Sequence, residues 1–99
     1  MAEHPLEPIR RIDPRFMDHL RQTDELVFAD GALSRKVKLL MAMAFDAAHG
    51  AANGVKALAQ AARAAGATDA EVAESVRVAC QLSGVGSVYT AAQALRDLV

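Results

Sequence analysis

From residue 13 to the C-terminus the apolar positions recur at helical spacing, and no stretch alternates in the way a half-buried strand would. Asp13 stands before Pro14, the preferred order for an N-cap and first helical residue, so a first long helix starts there. Phe16, Leu20 and Val27 form its apolar stripe, Arg15, Asp18, Arg21, Asp24 and Glu25 its solvated remainder, and Asp30-Gly31 its end. Ser34 caps a second helix whose residues 39–45 are all apolar, which leaves no face for water and requires enclosure on several sides. Gly50 and the Asn53-Gly54 pair interrupt the pattern and predict a bend or short break.

A third stripe of Val55, Leu58, Ala59 and Ala62 closes at Gly66, a helix-terminating glycine. Thr68 and Glu71 have the spacing of a capping box and open a fourth helix that runs to about Leu82. Residues 83–86, Ser-Gly-Val-Gly, break the chain again, and Val88, Ala91, Ala92, Leu95 and Val99 mark the core face of a fifth helix. Residues 1–12, with Pro5 and Pro8, read as an extended arm, and residues 13–99 as one all-α domain, a compact bundle of about five helices.

Composition sharpens this picture. Aromatic residues are only 4% of the 99, so the core is built from Ala, Leu, Val and Met, whose small side chains let helix axes approach closely. A single domain of this length buries only about two thirds of its unfolded surface, so the continuous apolar run predicts burial between copies of the chain. Eleven basic against twelve acidic residues give a net charge of -1, which provides no field for a nucleic acid or an anionic lipid surface. Residues 39–55 and 78–95 are nearly free of charge, but the glycines, Asn53, Gln81, Ser83, Ser87, Thr90 and Gln93 within them argue against membrane spans. The N-terminus lacks the apolar run of a signal peptide, so the expected location is cytoplasmic.

Few side chains here carry chemistry. Cys80 is the lone cysteine, which excludes an internal disulfide and leaves no resolving thiol; Val78, Ala79 and Leu82 around it read as a packed helix interior. Asp46, His49 and Asn53 are the strongly polar residues between Lys38 and Lys56, and they share one face if the helix continues through Gly50. A carboxylate one turn before an imidazole orients it and favours its protonated form, which makes Asp46 and His49 the candidate catalytic pair; mutual satisfaction in a buried contact is the structural alternative. Asn53, Lys56 and Tyr89 are candidate ligand contacts, with a solvated Lys56 and a subunit-boundary Tyr89 as the bland readings. His4 and His19 have no assigned role. The chain shows no metal-ligand spacing and no cofactor motif.

The segment KVKLLMAMAFDAAHGAANGVKALAQAARAAG at residues 36–66, followed by TDAEVAESVRVACQLSGVGSVYTAAQAL, resembles the carboxymuconolactone decarboxylase and alkylhydroperoxidase D-like family over about two thirds of the chain. The resemblance implies an all-helical fold and a homo-oligomer, frequently a hexamer in small members. The hydroperoxidase branch carries a Glu, a Cys-x-x-Cys and a His on this segment. Aligned on the turn at residues 65–68, those positions are Leu39, Ala51, Gly54 and Leu58 here, none of which supports thiol chemistry. Three functions follow from this reading: a small-molecule-binding or non-thiol enzyme oligomer with a site near Asp46 and His49, a non-catalytic structural or interaction oligomer, and a weaker hydroperoxidase reading through Cys80 alone.

Overall fold

The computed structural model describes residues 4–99, and among these it is entirely helical. The elements are α1 (Glu7–Ile12), α2 (Pro14–Val27), α3 (Arg35–Ala48), α4 (Ala52–Ala64), α5 (Asp69–Ser83) and α6 (Gly86–Leu95). Five of them are the helices that the periodicity predicts. The sixth, α1, falls in the segment expected to be extended, and residues 1–3 of that segment lie outside the described residues.

Proline explains the difference at α1. Pro8 occupies the first turn of that helix, where a missing N–H costs nothing and the fixed φ suits a helix, so it starts the element rather than forbidding it. Glu7 in the first turn and Arg10 and Arg11 in the last complement the helix dipole, and Glu7 pairs with Arg10.

The predicted caps form as hydrogen bonds. Phe16 N–H donates to Asp13 Oδ1 at 3.1 Å, and Val37 N–H to Ser34 Oγ at 3.2 Å. At α5 the capping box is complete: Glu71 N–H donates to Thr68 Oγ1 at 3.1 Å while Thr68 N–H donates to Glu71 Oε1 at 2.9 Å. Gly66 takes φ +102°, a left-handed conformation that other residues rarely adopt, and so reverses the chain between α4 and α5.

Helices α3 to α6 make the bundle. α3 packs against α4, α5 and α6, and α6 closes over α4 and α5. Leu39, Leu40, Met43 and Ala47 of α3 meet Val55, Ala59 and Ala62 of α4, Val72 and Ala79 of α5, and Ala91 and Ala94 of α6. Met43 and Val55 are fully enclosed. Leu58 lies at the edge of this core, half-buried, as its place in the α4 stripe predicts.

Three expectations change. The core face of α6 is Ser87, Ala91 and Ala94 with Leu95 at its margin; Ala92 and Val99 are exposed. Ser87 was not readable as a core residue because it is polar, but its Oγ donates to the Gly84 carbonyl at 2.8 Å, so its burial leaves no hydrogen-bonding group unpaired. The run at residues 39–45 is enclosed on one side only, since Met41 and Phe45 stand open to solvent. Finally, α2 buries none of its residues and ends at Val27, before the predicted Asp30-Gly31. It packs against α1 and leaves the bundle, which gives a Cα radius of gyration of 14.3 Å against about 13 Å for a compact chain of this length.

Candidate functional site

The turn joining α3 to α4 carries Asp46, His49 and Asn53, and its backbone decides how they stand. α3 ends at Ala48, with His49 as C-cap residue, and α4 begins at Ala52. Gly50 at φ +76° makes the reversal between them. The helix therefore does not run through Gly50, and the single-face arrangement of the three side chains, which required that, does not form. Asn53 instead sits exposed in the first turn of α4.

Asp46 is brought to α4 in a different way. Its carboxylate lies against the Gly54 backbone, where an added Cβ would meet Asp46 Oδ2 at 2.0 Å and Cγ at 2.9 Å. The Asp46 carbonyl also accepts a hydrogen bond from Ala51 N–H at 2.9 Å, so both the backbone and the side chain of this residue engage the start of α4. Ala51, the N-cap residue, has no side chain able to cap, and α4 has no side-chain cap of its own. A carboxylate at the first turn of a helix meets the positive end of the helix dipole.

His49 is exposed, and its Nδ1 is 2.7 Å from the Phe45 carbonyl oxygen. A carbonyl only accepts, so Nδ1 carries the hydrogen and the neutral ring keeps its lone pair on Nε2. The partner that orients His49 is thus the α3 backbone rather than the Asp46 side chain.

The remaining candidates diverge. Lys56 pairs with Asp97 beyond the end of α6, Nζ to Oδ2 at 3.9 Å. Tyr89 stands on α6 at 75% exposure. The fold brings Asp46 to Gly54 and sets Lys56 two residues further along α4. Cys80 is half-buried on α5, with no second cysteine in the sequence. Among the described residues, no group of three or more His, Cys, Asp or Glu side chains is arranged to hold a metal ion, and no helix is long and apolar enough to cross a membrane.

One surface feature had no sequence signal as a site. A groove of about 260 Å³ runs between α3 and α5, lined by Met41, Ala44, Phe45, Ala48, Val78, Ala79 and Leu82. A shallower apolar depression continues it along the same two helices to Val37, Leu40 and Ser75. Neither Asp46 nor His49 lines it.

With this geometry in view, comparison with known proteins is informative. The profile of the carboxymuconolactone decarboxylase family matches residues 14–97, nearly the whole chain. The chain belongs to the carboxymuconolactone decarboxylase family. In its apo crystal structure, a carboxymuconolactone decarboxylase family protein from Legionella pneumophila superposes with a TM-score of 0.84 at 30% identity, over 92% of this chain and 81% of the other. No curated protein matches at a significant level.

Family membership gives the turn a meaning. Ala51 and Gly54, where the sequence resemblance places the family's dithiol, stand at the N-cap and in the first turn of α4. A helix start stabilises a thiolate. In this member the anionic group at that helix start is the carboxylate of Asp46, reaching across from α3. The aligned Glu position, Leu39, is buried core, and the aligned His position, Leu58, is half-buried packing.

Proposed function

We propose that this carboxymuconolactone decarboxylase family member is a homo-oligomer that binds a small molecule at the α3–α4 turn and does no thiol chemistry there. The observation that carries this reading is the Asp46 carboxylate packed on Gly54 at the start of α4, in the place of the family's dithiol. Beside it His49 offers Nε2 as a proton acceptor to solvent, with the ring oriented by the Phe45 carbonyl. Asn53 adds an exposed amide on the next turn, and Lys56 a cation held by Asp97. Such a set suits a polar ligand that gives or takes a proton: Asp46 and Asn53 orient it, and His49 exchanges the proton. Tyr89, exposed on α6, belongs to a subunit boundary in this reading.

Assembly is supported by the surface. Phe45 at 64% and Leu82 at 81% exposure line one apolar groove with the exposed Val78, and contiguous apolar surface of this kind marks interaction sites. Family resemblance makes a hexamer the first arrangement to test.

A second reading, a non-catalytic structural or interaction oligomer, draws on the same contact: Asp46 fills the space over Gly54, and the groove on α3 and α5 is apolar throughout. Ligand binding separates the two. We expect one or more members of a panel of small carboxylic acids, lactones and phenols to raise the melting temperature of the oligomer and shift the His49 ring resonances. Both effects should be lost in Asp46→Asn and in His49→Gln with the fold intact by circular dichroism. A panel without effect, together with His49→Gln and Asp46→Asn oligomers as stable as wild type, would favour the non-catalytic reading.

A further inference from the structure

The start of α3 carries three cations, Arg35, Lys36 and Lys38, and its first turn holds no acid. A helix N-terminus is the positive end of the helix dipole, so local electrostatics disfavours all three at this place. A local preference set aside in this way points to partners elsewhere in the fold. Lys36 has its partner on α5, where its Nζ stands 2.8 Å from Glu71 Oε2. Arg35 and Lys38 have theirs at the end of α2.

That end has no basic residue in its own last turn. Lys38 Nζ donates to the Ala29 carbonyl at 2.7 Å, and the Arg35 guanidinium to the Phe28 carbonyl at 3.4 Å. Both carbonyls lie at the negative end of the α2 dipole, where cations are favoured. The service is returned: Asp30, just past α2, accepts from Arg35 N–H at 2.7 Å and so sets a carboxylate at the positive end of α3. Each helix end is completed by a side chain from the other side of the turn, and these bonds together fix the angle between α2 and α3. Packing adds little to that, because α2 buries none of its residues, while Phe28 at its C-cap packs on the bundle core.

We propose that residues 28–38 form a latched joint, in which Phe28 is the pivot and Lys38, with Arg35, is the latch that sets the direction in which α1 and α2 leave the bundle. With the latch open, α1 and α2 swing as one arm, since they pack on each other. The bonds lost on opening lie in the turn, so the helices of the arm and the core of α3 to α6 stay formed. One amino group, that of Lys38, thus decides where the N-terminal helices point. The same role explains why cations occupy a helix start that disfavours them.

Electron-resonance distances between nitroxide labels at Gln22→Cys on α2 and Gln60→Cys on α4, both exposed positions, test the latch in a Cys80→Ser background of the full chain. Labelled chain is refolded with an excess of unlabelled chain, so that each distance is read within one copy. With Lys38 in place we expect one narrow distance. Lys38→Met keeps the length of the stem without the charge, and its distribution should be about twofold wider or more. Lys38→Arg keeps charge and donors, and should restore the narrow distance. Circular dichroism should show the same helix content in all three. A narrow distance in Lys38→Met, a wide one with Lys38 in place, or Lys38→Arg as wide as Lys38→Met overturns the latch. So does broadening accompanied by lost helix content, because Lys38 then caps α2 rather than directing it. Should Lys38→Met not fold, Arg35→Gln, at an exposed position, is read in its place: a wider distribution is expected and an unchanged one overturns the proposal.

Discussion

At Gly54 two residue-scale forces oppose each other. Alanine is favoured over glycine inside a helix by about 1 kcal/mol, yet an alanine Cβ at this position would stand 2.0 Å from Asp46 Oδ2 and 2.9 Å from its Cγ. A short Asp side chain has little room to withdraw, and overpacking of this kind costs about 1–3 kcal/mol. Gly54→Ala is therefore expected to lower stability by about 1 kcal/mol. In an Asp46→Ala background the same change should raise it by about 0.5–1 kcal/mol, as the obstruction is gone and the propensity remains. Urea unfolding of the four chains measures the coupling, and equal effects in both backgrounds would show that Asp46 does not press on Gly54. Glu71 supplies a second residue-scale effect. The hydrogen bond from Lys36, at 2.8 Å, and then the Thr68 backbone N–H hold its carboxyl below the ordinary range. A carboxyl whose folded pKa is depressed contributes stability that is present above its unfolded pKa, about 4.3, and is lost as pH falls through the folded value. Glu71→Gln keeps an acceptor for the capping box but removes the charge, so its stability deficit against wild type should be present at pH 7 and shrink toward pH 3.

On the scale of the element, helix ends and helix faces were legible to different degrees. Asp13, Ser34 and Thr68 cap the helices they precede because capping needs only a side-chain oxygen and a backbone N–H two or three residues on, both set by local sequence. Thr68→Ala is expected to cost about 1 kcal/mol in urea unfolding, by loss of the acceptor for Glu71 N–H. Faces are less local. Ser87 in place of Val88 at the heart of the α6 face, and α2 with no buried face at all, depend on which neighbours a helix meets. A capped amphipathic helix reads the same whether its partner is in its own chain or another. Deep in α3, Met43→Ala should cost about 3 kcal/mol, because Met43 is fully enclosed by α3, α4, α5 and α6 and leaves a cavity when shortened.

The whole molecule keeps the fold of its family and carries one cysteine. Reduction of a peroxide by a dithiol needs a thiolate and a second thiol to resolve the sulfenic acid, and this chain has Cys80 alone, half-buried on α5. We expect no peroxide turnover with a dithiol reductant, in wild type or in Cys80→Ser. Turnover that Cys80→Ser abolishes would mean that the activity has been rebuilt around one sulfur. The apolar groove belongs to this scale as well. Periodicity reads residues 39–45 as needing cover on several sides, and the single chain covers one, leaving Met41 and Phe45 exposed.

Sequence by itself determined the helical class, the five long helices, their caps and the family, because periodicity, capping spacing and family motifs are all properties of neighbours along the chain. It also excluded the dithiol site, since Leu39, Ala51, Gly54 and Leu58 can be read without coordinates. What only the tertiary structure decided is where the polar residues of the α3–α4 turn point. Asp46, His49 and Asn53 share a face only on an unbroken helix, and the left-handed Gly50 ends α3 before that face is complete. The reversal carries α4 back along α3, which puts Gly54 under the Asp46 carboxylate and leaves His49 to its own backbone at Phe45. Contact across a turn depends on the path of the backbone through it, and one glycine's φ, free to take either sign, decides that path.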